Sequence, residues 1–166
     1  MLLVACGSAT DAGAPGGGGG WRFAARTRVD AAYYVGFPDA LSAAQPCNRL
    51  SVVSAQIEGA PPGLSAQLYA ARFVDAGQGH HRYIGGMSEA QVAQSYPDLT
   101  LAPVTSAVAV NGQPKAWYVL GVFRPRKAGR FETQGITVQY DCDGTQGSRT
   151  YGDVVVLFAT RVRGPE

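Results

Sequence analysis

The sequence predicts an antiparallel all-β sandwich of about seven strands. Three observations carry this prediction. From Trp21 onward apolar residues recur at every second position; Gly, Pro, Asn and Asp cut that alternation at regular intervals; and one short segment alone carries helix signals.

Taken in order, the predicted strands are Val29–Phe37, Arg49–Ile57, Leu64–Val74, Lys115–Phe123, Phe131–Cys142 and Arg149–Thr160, with a weaker one at Leu101–Val110 that contains Pro103. Pro61-Pro62-Gly63, Asn111-Gly112, Pro125 to Gly129 and Asp143-Gly144 supply the turns. Lys115–Phe123 is apolar on both faces, with Trp117, Val119 and Phe123 opposed to Tyr118, Leu120 and Val122, so it is expected at the centre of a sheet. Phe131–Cys142 alternates instead: Ile136, Val138, Tyr140 and Cys142 share one face, and Thr137, Gln139 and Asp141 the other. That turns Cys142 toward the core. In Ser88–Tyr96, Ser88 and Gln91 have capping-box spacing and Pro97 ends the run, which predicts a short connector helix.

The chain has 166 residues, 46% of them hydrophobic and 16% charged, which suits one domain over residues 21–166 after a short leader and tether. Its net charge of +2 arises from 14 basic and 12 acidic residues scattered along the chain. Without a basic stripe to track a phosphate backbone, no nucleic-acid partner is expected. No run of about 18 apolar residues is present to form a spanning helix. Arg far outnumbers Lys, and Ala and Gly abound, as GC-rich codons dictate.

Leu3-Val4-Ala5-Cys6 resembles a bacterial lipobox, in which small and aliphatic residues fit a signal-peptidase groove and the Cys thiol receives a diacylglyceryl group. Residues 1–5 are then the remnant of a signal peptide whose start lies further upstream, because a secretory signal needs about 7–15 apolar residues. The other reading is a chance match on a cytoplasmic chain. Residues 6–20 lack any apolar period and end in a run of glycines, the composition of a flexible tether, which would span roughly 20 Å as a coil. Lipidation of Cys6 leaves Cys47 and Cys142 as an even pair, the count expected of an exported protein with one disulfide; two buried free thiols are the alternative. Such a bond would close a loop of 95 residues.

The string from Val119 to Tyr140, with its Pro/Gly turn and the Gly135-Ile-Thr-Val-Gln-Tyr140 run after it, resembles the C-terminal half of uncharacterised exported or lipid-anchored immunoglobulin-like proteins of high-GC Gram-positive bacteria. The resemblance covers roughly Ala31 to Thr160. It implies an Ig-like sandwich and no enzymatic activity. Tyr140-Asp141-Cys142 is similar to the Tyr-x-Cys of immunoglobulin domains, but Trp117 lies too far after Cys47 to be their core Trp. In a strict seven-strand Greek key the strands next to the two Cys run parallel, which would hold the sulfurs at opposite ends of the sandwich. The pair can meet only if Leu101–Val110 is an edge excursion and not a full pass.

Few residues offer chemistry. Gly86-Met87-Ser88-Glu89-Ala90 is one residue short of a nucleophile elbow, and both histidines precede Ser88, so the triad order of that family cannot be completed. Asp141 to Gly144 resembles the start of a calcium loop but lacks the closing Glu, and reads as a hairpin turn. His80, His81 and Met87 form the one candidate ligand set, since imidazole and thioether suit copper outside the cytoplasm. Against it, adjacent His side chains usually point apart and no second thioether or thiol is near. The expectation is therefore a non-enzymatic binding or structural module without a cofactor, lipid-anchored through Cys6 on the extracytoplasmic face of the cell membrane. Its expected partner is a cell-envelope protein or glycan, its binding surface Gly77–Tyr96, and a metal-binding exported protein is the second reading.

Overall fold

The computed structural model describes residues 20–41, 46–75, 81–111, 113–114 and 117–161, so the lipobox Cys6, the tether up to residue 19 and His80 lie outside the described residues. In chain order the strands begin with β1 (Arg22–Arg28), β2 (Tyr33–Phe37), β3 (Arg49–Glu58), β4 (Leu64–Arg72), β5 (Val74–Asp75), β6 (His81–Arg82) and β7 (Met87–Ser88). After helix α1 (Glu89–Ser95) come β8 (Leu101–Pro103), β9 (Val108–Val110), β10 (Gln113–Pro114) and β11 (Trp117–Pro125). The last four are β12 (Gly129–Glu132), β13 (Gly135–Cys142), β14 (Thr145–Tyr151) and β15 (Val154–Thr160).

The fold is the expected all-β sandwich. One five-stranded sheet has the order β10-β9-β3-β13-β14, the facing one β7-β2-β11-β4-β8, and a third, β1-β15-β12, packs into the same core. β11 occupies the centre of its sheet because both of its faces are apolar. Val119 and Phe123, both fully buried, join the core between the sheets, where each such side chain contributes about 1.5–3 kcal/mol. On the outer face Tyr118 and Leu120 are covered by Ile84, Val92 and Tyr96. On the inner face, Gly121 lies between Val119 and Phe123 for a steric reason: a Cβ there would come within 2.6 Å of the Phe123 ring and 2.9 Å of the Phe37 ring.

Helix α1 forms where its cap predicted. The Ser88 hydroxyl accepts from the Gln91 amide at 3.4 Å, and the Gln91 carbonyl oxygen accepts from the Ser88 amide at 2.9 Å. Its role is larger than that of a connector, since Val92 and the following Tyr96 roof the second sheet.

Four of the predicted strands divide: Leu64–Val74 into β4 and β5, Leu101–Val110 into β8 and β9, and two more at a shared corner. Phe131–Cys142 becomes β12 and β13, which belong to different sheets, and Arg149–Thr160 becomes β14 and β15 in the same way. The β12/β13 and β14/β15 breaks meet at one corner, where the buried Thr133 side chain accepts from the Val155 amide at 3.0 Å and the Thr133 amide donates to the Val155 carbonyl at 3.0 Å. Alternation runs through such a corner unbroken because inward residues stay inward as the chain changes sheets. These corners, the short edge strands and the unpredicted β1 explain why the described residues hold fifteen strands where about seven were expected. β1 also departs from the antiparallel pattern, pairing in parallel with β15 from Arg22↔Val154 to Arg28↔Thr160.

Cys47 and Cys142 form a disulfide with Cα atoms 5.7 Å apart. β3 and β13 are antiparallel neighbours with Leu50 opposite Cys142, so the start of one lies beside the end of the other. Leu101–Val110 makes no full pass: it contributes the edge strand β8 to one sheet, a 3-10 turn at Val104–Ser106, and β9 to the other. Next to the bond, Asp143 (φ 50) and Gly144 (φ 88) have the positive φ values of a two-residue type I′ hairpin turn between β13 and β14. The Asp143 carboxylate reaches back to accept from the amides of Asn48 at 2.8 Å and Arg49 at 2.9 Å. Hairpin, disulfide and the entry to β3 thus brace one end of the sandwich.

Candidate functional site

Where the chain enters the domain, β1 and β2 leave a cleft of about 320 Å³ whose walls include Trp21, Phe23, Tyr33, Phe37, Asp39, Tyr83, Gly85, Gly86 and Asp153. Its floor is packed: Phe37 is buried, and Phe23 meets it edge-on with ring centroids 6.4 Å apart. Alternation along β1 and β2 turns these rings inward. Trp21 and Tyr83 form the rim, at 54% and 42% exposure.

The Tyr83 wall is held in place by the second sheet. The Ile84 amide donates to the Tyr118 hydroxyl at 3.0 Å, the Gly36 amide donates to the Ile84 carbonyl at 2.7 Å, and the Tyr96 hydroxyl donates to the Tyr83 carbonyl at 3.3 Å. Burial drives the Tyr118 hydroxyl up to a pKa of about 12, against the opposing hydrogen bond from Ile84, so it stays a neutral partner at any physiological pH. Burial likewise raises Tyr33.

Asp153 is the polar centre of the cleft. It is 5% exposed, and its Oδ1 accepts from the Trp21 amide at 2.7 Å, while the Val154 amide donates to the Trp21 carbonyl at 2.8 Å. Burial raises its pKa above the ordinary value, the Trp21 amide opposes the rise, and the negative charge of Asp39 adds to it. Asp39 is exposed and accepts weakly from the Trp21 indole, at 3.4 Å. Arg22 lines the same opening but donates to Glu132 at 3.0 Å, and Arg130 also pairs with Glu132.

A carboxylic acid with a raised pKa in the folded state holds its proton there more tightly than in the unfolded chain. Stability therefore falls as pH rises from the ordinary Asp value to the raised one, and stays level above it. Asp153→Asn keeps an acceptor for the Trp21 amide and removes the buried charge. Its melting temperature is expected to exceed that of the parent at pH 7, with the gap closing as pH falls through the Asp153 pKa; thermal unfolding over a pH series measures this.

The residues singled out in the sequence fare differently. Met87 is half-buried against Ile84, Val92 and their neighbours, Ser88 is spent on the helix cap, and Asp141 to Gly144 is a hairpin turn whose Gly144 amide donates to Asp141 at 2.9 Å. The His80 and His81 side chains lie outside what is described. Cys47, Cys142 and Asp143 bring potential ligand atoms within 4.8 Å of one another, but the sulfurs are bonded together and the Asp143 oxygens carry the Asn48 and Arg49 amides. From the expected surface Gly77–Tyr96, Tyr83, Gly85 and Gly86 do line the cleft. Trp21, Tyr33, Asp39 and Asp153 were missed. The one available signal was Asp153 itself, a lone carboxylate set between Gly152 and the apolar run Val154–Phe158. No family model matches the chain, and neither does any curated protein or solved structure.

Proposed function

We propose that this protein is a lipoprotein of the bacterial cell envelope, anchored through Cys6 after removal of its signal peptide, whose sandwich works as an immunoglobulin-like binding module without chemistry of its own. In this reading it is kin to the exported proteins of high-GC Gram-positive bacteria that its Val119–Tyr140 string resembles, and it holds an envelope protein or glycan outside the cytoplasmic membrane. The observation that carries the recognition half is the cleft: aromatic walls around one buried carboxylate, the composition of a ligand pocket. Its position supports the anchoring half, because Trp21 stands at the cleft rim directly after the Gly-rich segment and would keep the ligand near the membrane.

Two measurements test this. Cells expressing the gene from its native locus are fed an alkynyl fatty acid; label on the parent and none on Cys6→Ser, with the variant released from membranes, is expected. Label on neither would end the anchoring idea. For recognition, the two indole N–H resonances of the full chain are followed while cationic, neutral and anionic envelope fragments are added. Movement of Trp21 with Trp117 still is expected for at least one class; silence of Trp21 toward every class overturns the cleft as a recognition site.

A further inference from the structure

We infer that the cleft takes an organic ammonium group, its charge facing Asp153 and Asp39 and its methylenes lying on the rings of Trp21, Phe23, Tyr33 and Tyr83. This rests on the reading of the cleft as the recognition site and supplies its ligand class.

Charge decides the sign of the ligand. Two carboxylates face the opening, and the one basic residue on its wall, Arg22, already donates to Glu132 at 3.0 Å. An anion would meet repulsion there. Burial makes the case stronger, because a carboxylate held at 5% exposure costs stability unless it is paired. Asp153 spends Oδ1 on the Trp21 amide, while its second oxygen accepts from no described residue and is not among the fully buried unpartnered atoms, so it stays open to a ligand. A cation bearing N–H donors completes that group.

Ring faces attract the same cation. Trp is the best cation–π partner and Tyr follows, with attraction growing as the site is shielded from water. The volume, about 320 Å³, lies at the small end of ligand pockets. It admits one ammonium head and a few methylenes, such as a free alkylamine or the side chain of a lysine-like residue. At Gly85 a Cβ would meet nothing within 4 Å, so the wall is open enough there to admit a chain leading outward.

Proton linkage gives a second signature. Burial and the Asp39 charge hold the Asp153 pKa up, and a bound ammonium opposes both by favouring the anion. The other titratable and charged groups on the walls are Asp39, Arg22, Tyr33 and Tyr83. Binding is therefore expected to tighten as pH rises through the Asp153 pKa.

The test uses the full chain with its disulfide intact and reads the Trp21 indole resonance against that of Trp117. The probes are n-butylammonium, Nα-acetyl-lysine methylamide, n-butanol, butyrate and N-acetylglucosamine. Expected are saturable shifts with both ammonium compounds, about tenfold tighter than with n-butanol, and a comparable loss in Asp153→Asn. Thermal unfolding verifies that this variant is folded, and the exposed Asp39→Asn serves as a second, milder variant. A tighter lysine derivative assigns the ligand to a peptide side chain, a tighter butylammonium to a free amine, and either supports the inference. If butanol, butyrate or the sugar binds as well as the amines do, the ammonium inference is overturned while the recognition cleft stands. If none moves Trp21, both fall.

Discussion

Breaking the Cys47–Cys142 bond, by Cys142→Ser or by reduction, is expected to cost the folded protein about 2–5 kcal/mol. The bond joins residues 95 apart in sequence, so in the unfolded chain it removes the freedom of a loop holding most of the domain. A chain-entropy estimate for a loop of that size is about 4.7 kcal/mol. The folded end of the sandwich is expected to keep its shape without the bond, because the Asp143 carboxylate still ties Asn48 and Arg49 to the hairpin. In a protein of this length, the expected fall in Tm is on the order of 10 °C. Thermal unfolding of oxidised, reduced and Cys142→Ser material measures it. Alkylation before and after reduction, in denaturant, must first find Cys47 and Cys142 protected; two freely alkylated thiols in exported protein would remove the premise.

Phe123→Ala is expected to be at least as damaging, at about 3–5 kcal/mol. The side chain is fully buried in the core shared by all three sheets, and the missing Cβ of Gly121 is filled by the Phe123 ring and that of Phe37. Truncation therefore opens a cavity that its neighbours cannot collapse into, since β11 is fixed from both sides by β2 and β4. Phe158→Ala, at a ring 44% exposed on β15, supplies the contrast and should change stability by less than about 1 kcal/mol. Urea unfolding of both variants measures the difference. Equal losses would contradict the inward placement of Phe123.

What the sequence made legible was local or periodic. The two apolar faces of Lys115–Phe123 predicted a central strand, the Ser88 and Gln91 spacing predicted a cap, and Asp143-Gly144 predicted a hairpin; each depends on neighbours in the chain. β3 illustrates the limit. Val53 is an extra residue opposite the Gln139/Tyr140 step, so Leu50 and Val52 face inward before the bulge and Ala55 and Ile57 after it. Read as unbroken alternation, that strand cannot give both sets correctly. The cleft lay beyond local reading altogether, since its central contact joins Trp21 to Asp153 across 132 positions. Tyr83, Gly85 and Gly86 were within reach only because their segment breaks the β pattern.

The parallel pairing of β1 with β15 has a mechanical consequence. The chain enters β1 at Arg22 beside Val154 and the last strand ends at Thr160 beside Arg28, so the two strands leave their shared ladder at opposite ends. Tension applied between Arg22 and Thr160 pulls the two strands lengthwise past each other. All the hydrogen bonds between them then bear the force together, and they must shear as a set where an antiparallel pair would unzip one bond at a time. Because Trp21 directly precedes this ladder and Asp153 directly precedes β15, the same pull draws on the amide–carboxylate contact at the cleft, making that contact the first point at which tension on the domain is felt.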